Sequence, residues 1–153
     1  MKKKIIYGAL LLLIAIQLVR PEKNQGLADT PNDVTHHVDV PESTLKILKT
    51  SCYDCHSNHT NYPLYSEIMP FGWFLADHIK DGKKHLNFSD FSKYTKKKID
   101  HKLEETAEEV EKHDMPLSSY LIMHSEAKLN ESQTQEIIEW VNRERAKLQA
   151  SGL

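Results

Sequence analysis

The chain has 153 residues, 39% of them hydrophobic and 27% charged, with six prolines, five glycines and two cysteines. This length favours a single domain, and the composition excludes collagen-like and low-complexity chains. No fixed period recurs, which excludes a solenoid. Two cysteines allow one disulfide bond at most, which excludes a disulfide-rich scaffold.

The formal net charge of −2 is unevenly distributed. Four of the twenty basic residues lie in residues 1–20, which contain no acidic residue, so 16 basic and 22 acidic residues follow, with a net charge of −6. An acidic remainder argues against nucleic-acid binding, and we expect no nucleic-acid partner.

The N-terminus has the form of an export signal: Lys2, Lys3 and Lys4 precede an apolar run from Ile5 to Val19. A helix of this length spans roughly 22 Å, short of the ~30 Å hydrocarbon core, so a cleaved signal and an uncleaved anchor both remain open. The best cleavage site, Gly26-Leu27-Ala28, lies beyond charged residues, which favours an anchor helix over residues 1–20. The lysines then predict an inner-membrane protein with its domain in the periplasm; a cleaved, soluble periplasmic protein is the alternative.

Residues 21–41 are polar, contain three prolines and are predicted to be a linker. A helix is expected behind Pro41, capped by Ser43 or Thr44 and running into Cys52. Residues 57–63 are predicted to form a loop. An apolar segment over residues 64–79 follows, interrupted at Pro70 and closed by a turn at residues 81–82.

A short helix capped by Ser89 or Asp90 comes next, and the 3-to-4 spacing of apolar residues predicts a helix over residues 95–111. Its basic run, residues 93–102, is interpreted as a solvated face rather than a docking site for an acidic partner. Asn130 and Gln133 form a capping-box pattern before a last apolar-faced helix. No alternating strand pattern appears, so we expect an all-α domain over residues 42–150 with four or five helices.

The two cysteines stand as Cys52-Tyr53-Asp54-Cys55 with His56 directly behind, the signature of c-type haem attachment. Residues three apart lie on one side of a helical turn, so both thiols can meet the vinyl groups of a single porphyrin, and His56 can turn to the iron. Three alternatives remain: a thioredoxin-like disulfide, a structural disulfide, and a zinc site completed by histidines such as His59 or His78.

Haem iron in an electron carrier takes a second axial ligand, and methionine opposite histidine raises the reduction potential. Met115 is the preferred candidate, because it precedes Pro116 and opens a loop that can reach the porphyrin. Met69 and Met123 are interpreted as core residues. Rival ligands are the histidines at positions 59, 78, 85, 113 and 124, and an open site would favour gas sensing or peroxide chemistry. Trp73, Phe74, Phe88 and Phe91 are expected to form core and pocket lining.

Over residues 42–150 the sequence resembles the class I cytochromes c and, more closely, a family of small exported haem-binding domains. The resemblance rests on CYDCHSNHTNYPLYS, GWFLADHIKDGKKHLNFSDF, MPLSSYLIMHSEAKLN and the closing EIIEWV. It implies haem on Cys52 and Cys55, with His56 as proximal and Met115 as distal ligand. It also implies that the first and last helices of the domain cross near the haem, and that the Pro63 carbonyl accepts the His56 ring N–H.

These features predict a membrane-anchored carrier with one covalent haem c that passes single electrons to a redox partner in the periplasm or inner membrane. No catalytic residue is predicted, and the chain is not expected to be an enzyme, although peroxidase-like activity stays open. The alternatives are a haem sensor or peroxidase-like protein with an open distal site, and a haem-free thiol-redox or zinc module.

Overall fold

The computed structural model describes residues 1–27 and 30–152, and helices account for all regular elements of that part. The α-helices are α1 (Lys2–Ile16), α2 (Glu42–Ser51), α3 (Tyr53–His56), α4 (Phe71–His85), α5 (Lys96–Glu111), α6 (Ser118–Leu121) and α7 (Glu131–Ala150). Short 3₁₀ turns cover Val34–His36, Leu64–Glu67, Phe88–Lys93 and Ser125–Ala127. The all-α class is confirmed for the described residues, where strand-like pairing is limited to one isolated bridge between Gln25 and His59.

The N-terminal hydrophobic helix is present as α1, and none of its residues is buried. Within residues 1–27 and 30–152 no helix combines the length and the apolarity needed to cross a membrane. The cleavage motif considered above ends at Ala28, which lies outside the described residues.

The core forms where α5 and α7 pack along one another and α2 crosses α7. Trp140 of α7 is fully buried there, together with Leu48 of α2 and Leu103 of α5. Phe88 stacks on Tyr53 with ring centroids 5.3 Å apart, which ties the turn after α4 to α3. The core therefore supports α3, the turn that contains Cys55 and has Cys52 as its N-cap residue.

The segment predicted to be a linker contributes side chains to this core. Val34 is fully buried and Val38 nearly so. The Trp140 ring N–H donates a hydrogen bond of 2.9 Å to the Asp39 carbonyl, and the Asn24 side chain donates one of 2.9 Å to the Ser57 carbonyl. Parts of this segment are thus packed against the domain, around Asn24 and over residues 33–39.

Several predicted helix ends are correct and several are wrong. The Asn130–Gln133 capping box is present in full, and α5 begins one residue later than predicted, behind a Thr95 cap. The α2 cap is wrong: Pro41 is the N-cap residue and no side chain caps it.

The region after Pro70 also differs from the prediction. The turn expected at residues 81–82 does not exist, because α4 continues through them to His85. Asn87, and neither Ser89 nor Asp90, caps the next turn by accepting a hydrogen bond from the Ser89 N–H. The extra helical turn in α4 places residues 81–85 beside the cysteines.

Candidate functional site

A cavity of about 560 Å³ lies between four helices and a loop. Its walls are the C-terminal end of α2, the helices α3, α4 and α5, and the segment from Met115 to Tyr120, which includes part of α6. Its lining includes Cys52, Cys55, His56 and Met115. The structure therefore brings all four residues singled out in the sequence to one cavity, although Met115 lies far from the other three along the chain. Of the first and last helices of the domain, only α2 lines this cavity, through Ser51, and no residue of α7 does.

The turn α3 sets the direction of the two cysteines. The Cys52 carbonyl accepts hydrogen bonds from the Cys55 N–H at 3.2 Å and from the His56 N–H at 2.9 Å. This single helical turn keeps the two side chains, three residues apart, on one side. Both are free thiols that reach the cavity.

A hydrogen bond to the backbone defines the tautomer of the neutral His56 ring. Its Nδ1 lies 3.0 Å from the Leu86 carbonyl oxygen. A carbonyl can only accept, so Nδ1 carries the proton and Nε2 keeps the lone pair that binds a metal. Burial lowers the pKa of His56, which also favours the neutral ring.

The expected Pro63 contact is wrong. The Pro63 carbonyl accepts hydrogen bonds from the Ser66 N–H at 3.0 Å and from the Ser66 hydroxyl at 2.6 Å. The Leu86 carbonyl, rather than that of Pro63, accepts the hydrogen bond from the His56 ring. Because α4 ends at His85, the Leu86 carbonyl is not used within the helix and lies next to the imidazole.

Gly82 allows α4 to lie directly against α3. A Cβ at this position would stand 2.9 Å from the Cys55 carbonyl oxygen and 3.3 Å from the Cys55 Cβ. Real Cβ atoms essentially never come within 3.0 Å of another atom, so a side chain here would push the cysteine turn away. This contact was not predicted, because Gly82 was expected to lie in a turn rather than in a helix.

Asp54, between the cysteines, links three segments around the site. Its Oδ1 accepts hydrogen bonds from the Asn61 N–H and side-chain amide at 3.0 and 3.1 Å. Its Oδ2 accepts one of 2.8 Å from the Tyr120 hydroxyl, and its carbonyl accepts one of 2.6 Å from Thr60. Burial and the Asp54 carboxylate raise the pKa of Tyr120, so this hydroxyl stays a donor. The loop of residues 57–63 and helix α6 are thereby both tied to the cysteine turn.

Met115 reaches the cavity through a left-handed turn at the end of α5. His113 has a φ of 58°, the conformation in which helices commonly end. The N–H groups of Asp114 and Met115 then both donate to the Glu109 carbonyl, at 3.0 and 3.2 Å. This reversal directs the chain across the end of α5 into the cavity wall.

The rival axial ligands separate into two groups. His78 and His85 line the cavity, whereas His59, His113 and His124 do not. His124 instead forms a 2.9 Å hydrogen bond with the Tyr65 hydroxyl.

The methionines and aromatic residues predicted to be buried fall into buried and exposed positions. Met69 is buried as expected, but Met123 is exposed, so its assignment to the core is wrong. Phe88 and Phe91 belong to the core, and Phe88 also lines the cavity. Phe74 is exposed and does not line the cavity, which contradicts its expected role.

The state of the thiols argues against the haem-free alternatives. Burial raises the pKa of Cys52 to about 12 and the pKa of Cys55 to about 11. Thiol–disulfide exchange requires a thiolate, so these protonated thiols are poorly suited to it. Residues 1–27 and 30–152 also contain no group of three or more His, Cys, Asp or Glu side chains that could hold a metal ion.

The remaining polar lining of the cavity is mainly acidic. The carboxylates belong to Asp54, Asp77, Asp81, Glu105 and Glu109. Lys102 lies among them and donates a 2.6 Å hydrogen bond to Glu105. Its ammonium group, on a mostly buried side chain, offsets part of this negative charge.

Comparison with protein families gives one match: the profile described as "Haem-binding domain" matches residues 11–143. The chain belongs to the haem-binding domain family. The matched range covers most of the chain, including the segment packed before α2 and every residue that lines the cavity. No curated protein and no solved structure matches the chain.

The cavity of this haem-binding domain suits its cofactor. Its volume lies in the range of cofactor pockets, roughly 300–1,000 Å³. It offers the His56 imidazole, the thiols of Cys52 and Cys55 and the Met115 thioether as candidate ligands. The match and the donor set agree on a haem protein.

Proposed function

We propose that this haem protein is a c-type, single-haem electron carrier in which Cys52 and Cys55 hold the porphyrin as thioethers. The observation that supports this most directly is the cavity that collects both thiols, the His56 imidazole and Met115. Haem bound there supplies a one-electron Fe(II)/Fe(III) couple. We further propose that His56 is the proximal and Met115 the distal axial ligand.

The residues around the cavity keep these ligands in place. The Leu86 carbonyl orients His56 through Nδ1 and makes Nε2 the metal-binding atom. Asp54 fixes the turn between the cysteines, and the chain reversal at His113 brings Met115 to the cavity. A rigid ligand set of this kind suits electron transfer, because little has to rearrange when the iron changes oxidation state.

The compartment is part of the same proposal. Residues 1–20 have the lysine-headed, apolar form of an export signal, so we place the domain in the periplasm. Its electrons then pass to a redox partner there or in the inner membrane. The role proposed is electron transfer without transformation of a substrate.

Covalent attachment is tested by producing the full chain together with a c-type maturation system. We expect haem to stay on the polypeptide after denaturing electrophoresis, at one haem per chain. The Cys52→Ala/Cys55→Ala variant should lose it, whereas Met123→Ala, altered at an exposed residue outside the cavity, should keep it. Absence of covalent haem from the unmodified chain would refute the c-type assignment.

Electron transfer is tested on the same holoprotein by a spectroelectrochemical titration. A reversible one-electron transition supports a carrier. Rapid binding of CO to the unmodified reduced protein would instead indicate an open distal position and a sensor or peroxidase-like function.

A further inference from the structure

The first turns of α4 and the segment before them expose an unusual number of apolar side chains. Leu64 is 89% exposed, Ile68 55%, Phe71 58% and Phe74 57%. We call these four residues the apolar patch. Phe71 and Phe74 are three residues apart on α4 and so lie on the same side of the helix. Clustered exposed apolar residues of this size mark interaction surfaces.

The apolar N-terminal helix is joined to the domain at this same place. The Gln17 side chain donates to the Met69 carbonyl at 3.0 Å and accepts from the Met69 N–H at 2.9 Å. The Trp73 ring N–H donates to the Val19 carbonyl at 2.7 Å. Met69 lies between Ile68 and Phe71, so the end of α1 is fastened beside the apolar patch.

Two cationic side chains flank the junction. Arg20 and Lys23 both pair with Glu67, and Arg20 also donates to the Glu67 carbonyl at 3.0 Å. Glu22 stands between them in the sequence, so the charges of the junction balance, and the positive charge of this surface is that of Lys2, Lys3 and Lys4 in the first turn of α1. An apolar surface with a basic edge has the chemistry of a segment that binds an anionic lipid surface.

We propose that the apolar patch and α1 form one lipid-binding surface, through which the domain itself rests on an anionic bilayer. The reason is continuity: α1 is apolar, buries none of its own residues and leaves the domain beside the patch. A lipid bilayer that contacts α1 therefore also contacts Phe71 and Phe74. The surface does not depend on haem, so failure of haem attachment leaves the inference intact.

The arrangement has a consequence for the cavity. The same helix, α4, carries the patch in its first turns and the cavity residues His78 and Gly82 further along. Contact between the patch and the bilayer therefore holds the cavity at a fixed distance from the lipid surface.

The test uses the full chain and vesicles of phosphatidylethanolamine and phosphatidylglycerol, with binding measured by sedimentation. The Phe71→Ser/Phe74→Ser variant is expected to lower the partition coefficient roughly tenfold. Leu64→Ser should lower it by a factor of a few. Leu27→Ser is the matched control, because Leu27 is 77% exposed and follows Gly26, which bonds to Asn58 outside the patch. Equal partition of all these variants and the unmodified chain would overturn the proposal.

A second measurement needs no variant and therefore does not depend on how the substitutions fold. Hydroxyl-radical oxidation of Phe71 and Phe74 should fall several-fold when the unmodified chain binds vesicles, while oxidation of His101, exposed on α5, stays unchanged. Oxidation of both phenylalanines at the same rate with and without vesicles would refute lipid contact. Protection that appears without lipid and grows with protein concentration would assign the patch to a second copy of the chain, which also overturns the proposal.

Discussion

At the residue scale, the site depends on groups that hold the candidate ligands as much as on the ligands themselves. His56 is oriented by the Leu86 carbonyl, and the cysteine turn is fixed by Asp54 and accommodated by Gly82. The grouping of Cys52, Cys55 and His56 was predictable because the three residues lie within one short stretch of sequence, Cys52-Tyr53-Asp54-Cys55-His56. Leu86 and Gly82 were not, because a backbone carbonyl and a missing side chain have no signature in composition or spacing.

Met115 can be tested as the distal ligand by comparing Met115→Ala with Met123→Ala in the holoprotein. We expect Met115→Ala to lose the methionine-to-iron band of the oxidised protein, to bind CO when reduced and to have a lower reduction potential, because a methionine ligand raises it. Met123→Ala should retain all three properties, since Met123 is exposed and outside the cavity.

A band that persists in Met115→Ala would contradict methionine ligation by this residue. His78→Ala and His85→Ala would then be the next variants, because these are the histidines that line the cavity.

Gly82→Ala should destabilise the domain. Its Cβ would stand 2.9 Å from the Cys55 carbonyl oxygen, so α4 and the cysteine turn must separate, at a cost of about 1–3 kcal/mol. Denaturant unfolding and the haem-to-protein ratio measure the effect. Gly8→Ala is the matched control, because no atom lies within 4 Å of its added Cβ and alanine favours a helix. Equal stability of the two variants would show that α4 does not need glycine at this contact.

At the element scale, the long helices follow from local sequence, and their ends follow from neighbours. The apolar spacing and the capping box are enough to predict α5 and α7 closely. The end of α4 was missed because Asp81 and Gly82 resemble a turn locally, yet packing of α4 against the cysteine turn keeps both residues helical. Tertiary contact overrides weak local propensity at such positions.

Within α5, Glu105 predicts a pH dependence of stability. The hydrogen bond and charge of Lys102 lower the pKa of Glu105 from its usual 4.5. An unfolded chain takes up this proton near pH 4.5, before the folded chain does. The stabilisation that ionised Glu105 contributes to the folded state is therefore present above pH 4.5. It is lost as the pH falls through the lower pKa that Glu105 has in the folded chain.

Because the Glu105 side chain is 44% exposed, the contribution should be about 0.2–1 kcal/mol. Urea unfolding at about pH 7 and about pH 3.5 measures it. The Glu105→Gln variant should lose less stability between these two pH values than the unmodified chain. Glu108→Gln, which removes a carboxylate from a solvent-exposed ion pair on the same helix, should behave like the unmodified chain. Equal losses of stability in the unmodified chain and both variants would contradict a stabilising role for ionised Glu105.

At the scale of the whole molecule, the domain includes part of the segment before α2. The polar, proline-containing composition of residues 21–41 predicted a linker, but Val34 is fully buried and Asp39 accepts a hydrogen bond from Trp140. Isolated valines in a polar stretch have no periodicity, so their burial is visible only once the Phe88–Lys93 turn and the helices form the core that receives them.

Val34→Ala tests whether this segment is part of the folded unit. Loss of two buried methyl groups should lower the free energy of unfolding by about 2 kcal/mol. Val19→Ala, at a 62% exposed position, should change it by less than about 0.5 kcal/mol. Denaturant unfolding of both variants provides the measurement. A Val34→Ala variant as stable as the unmodified chain would show that the segment behaves as a tether.

The sequence by itself predicted the helical class, the principal helices and the grouping of Cys52, Cys55 and His56, because these depend on residues close together along the chain. The tertiary structure decided which distant residues meet them. Met115 reaches the cavity through the chain reversal after α5, the Leu86 carbonyl bonds to the His56 ring, and Val34 is packed into the core. The tertiary structure also fastened α1 beside an exposed apolar patch. Such contacts join positions far apart in the chain, and only the packing of helices against one another brings those positions together.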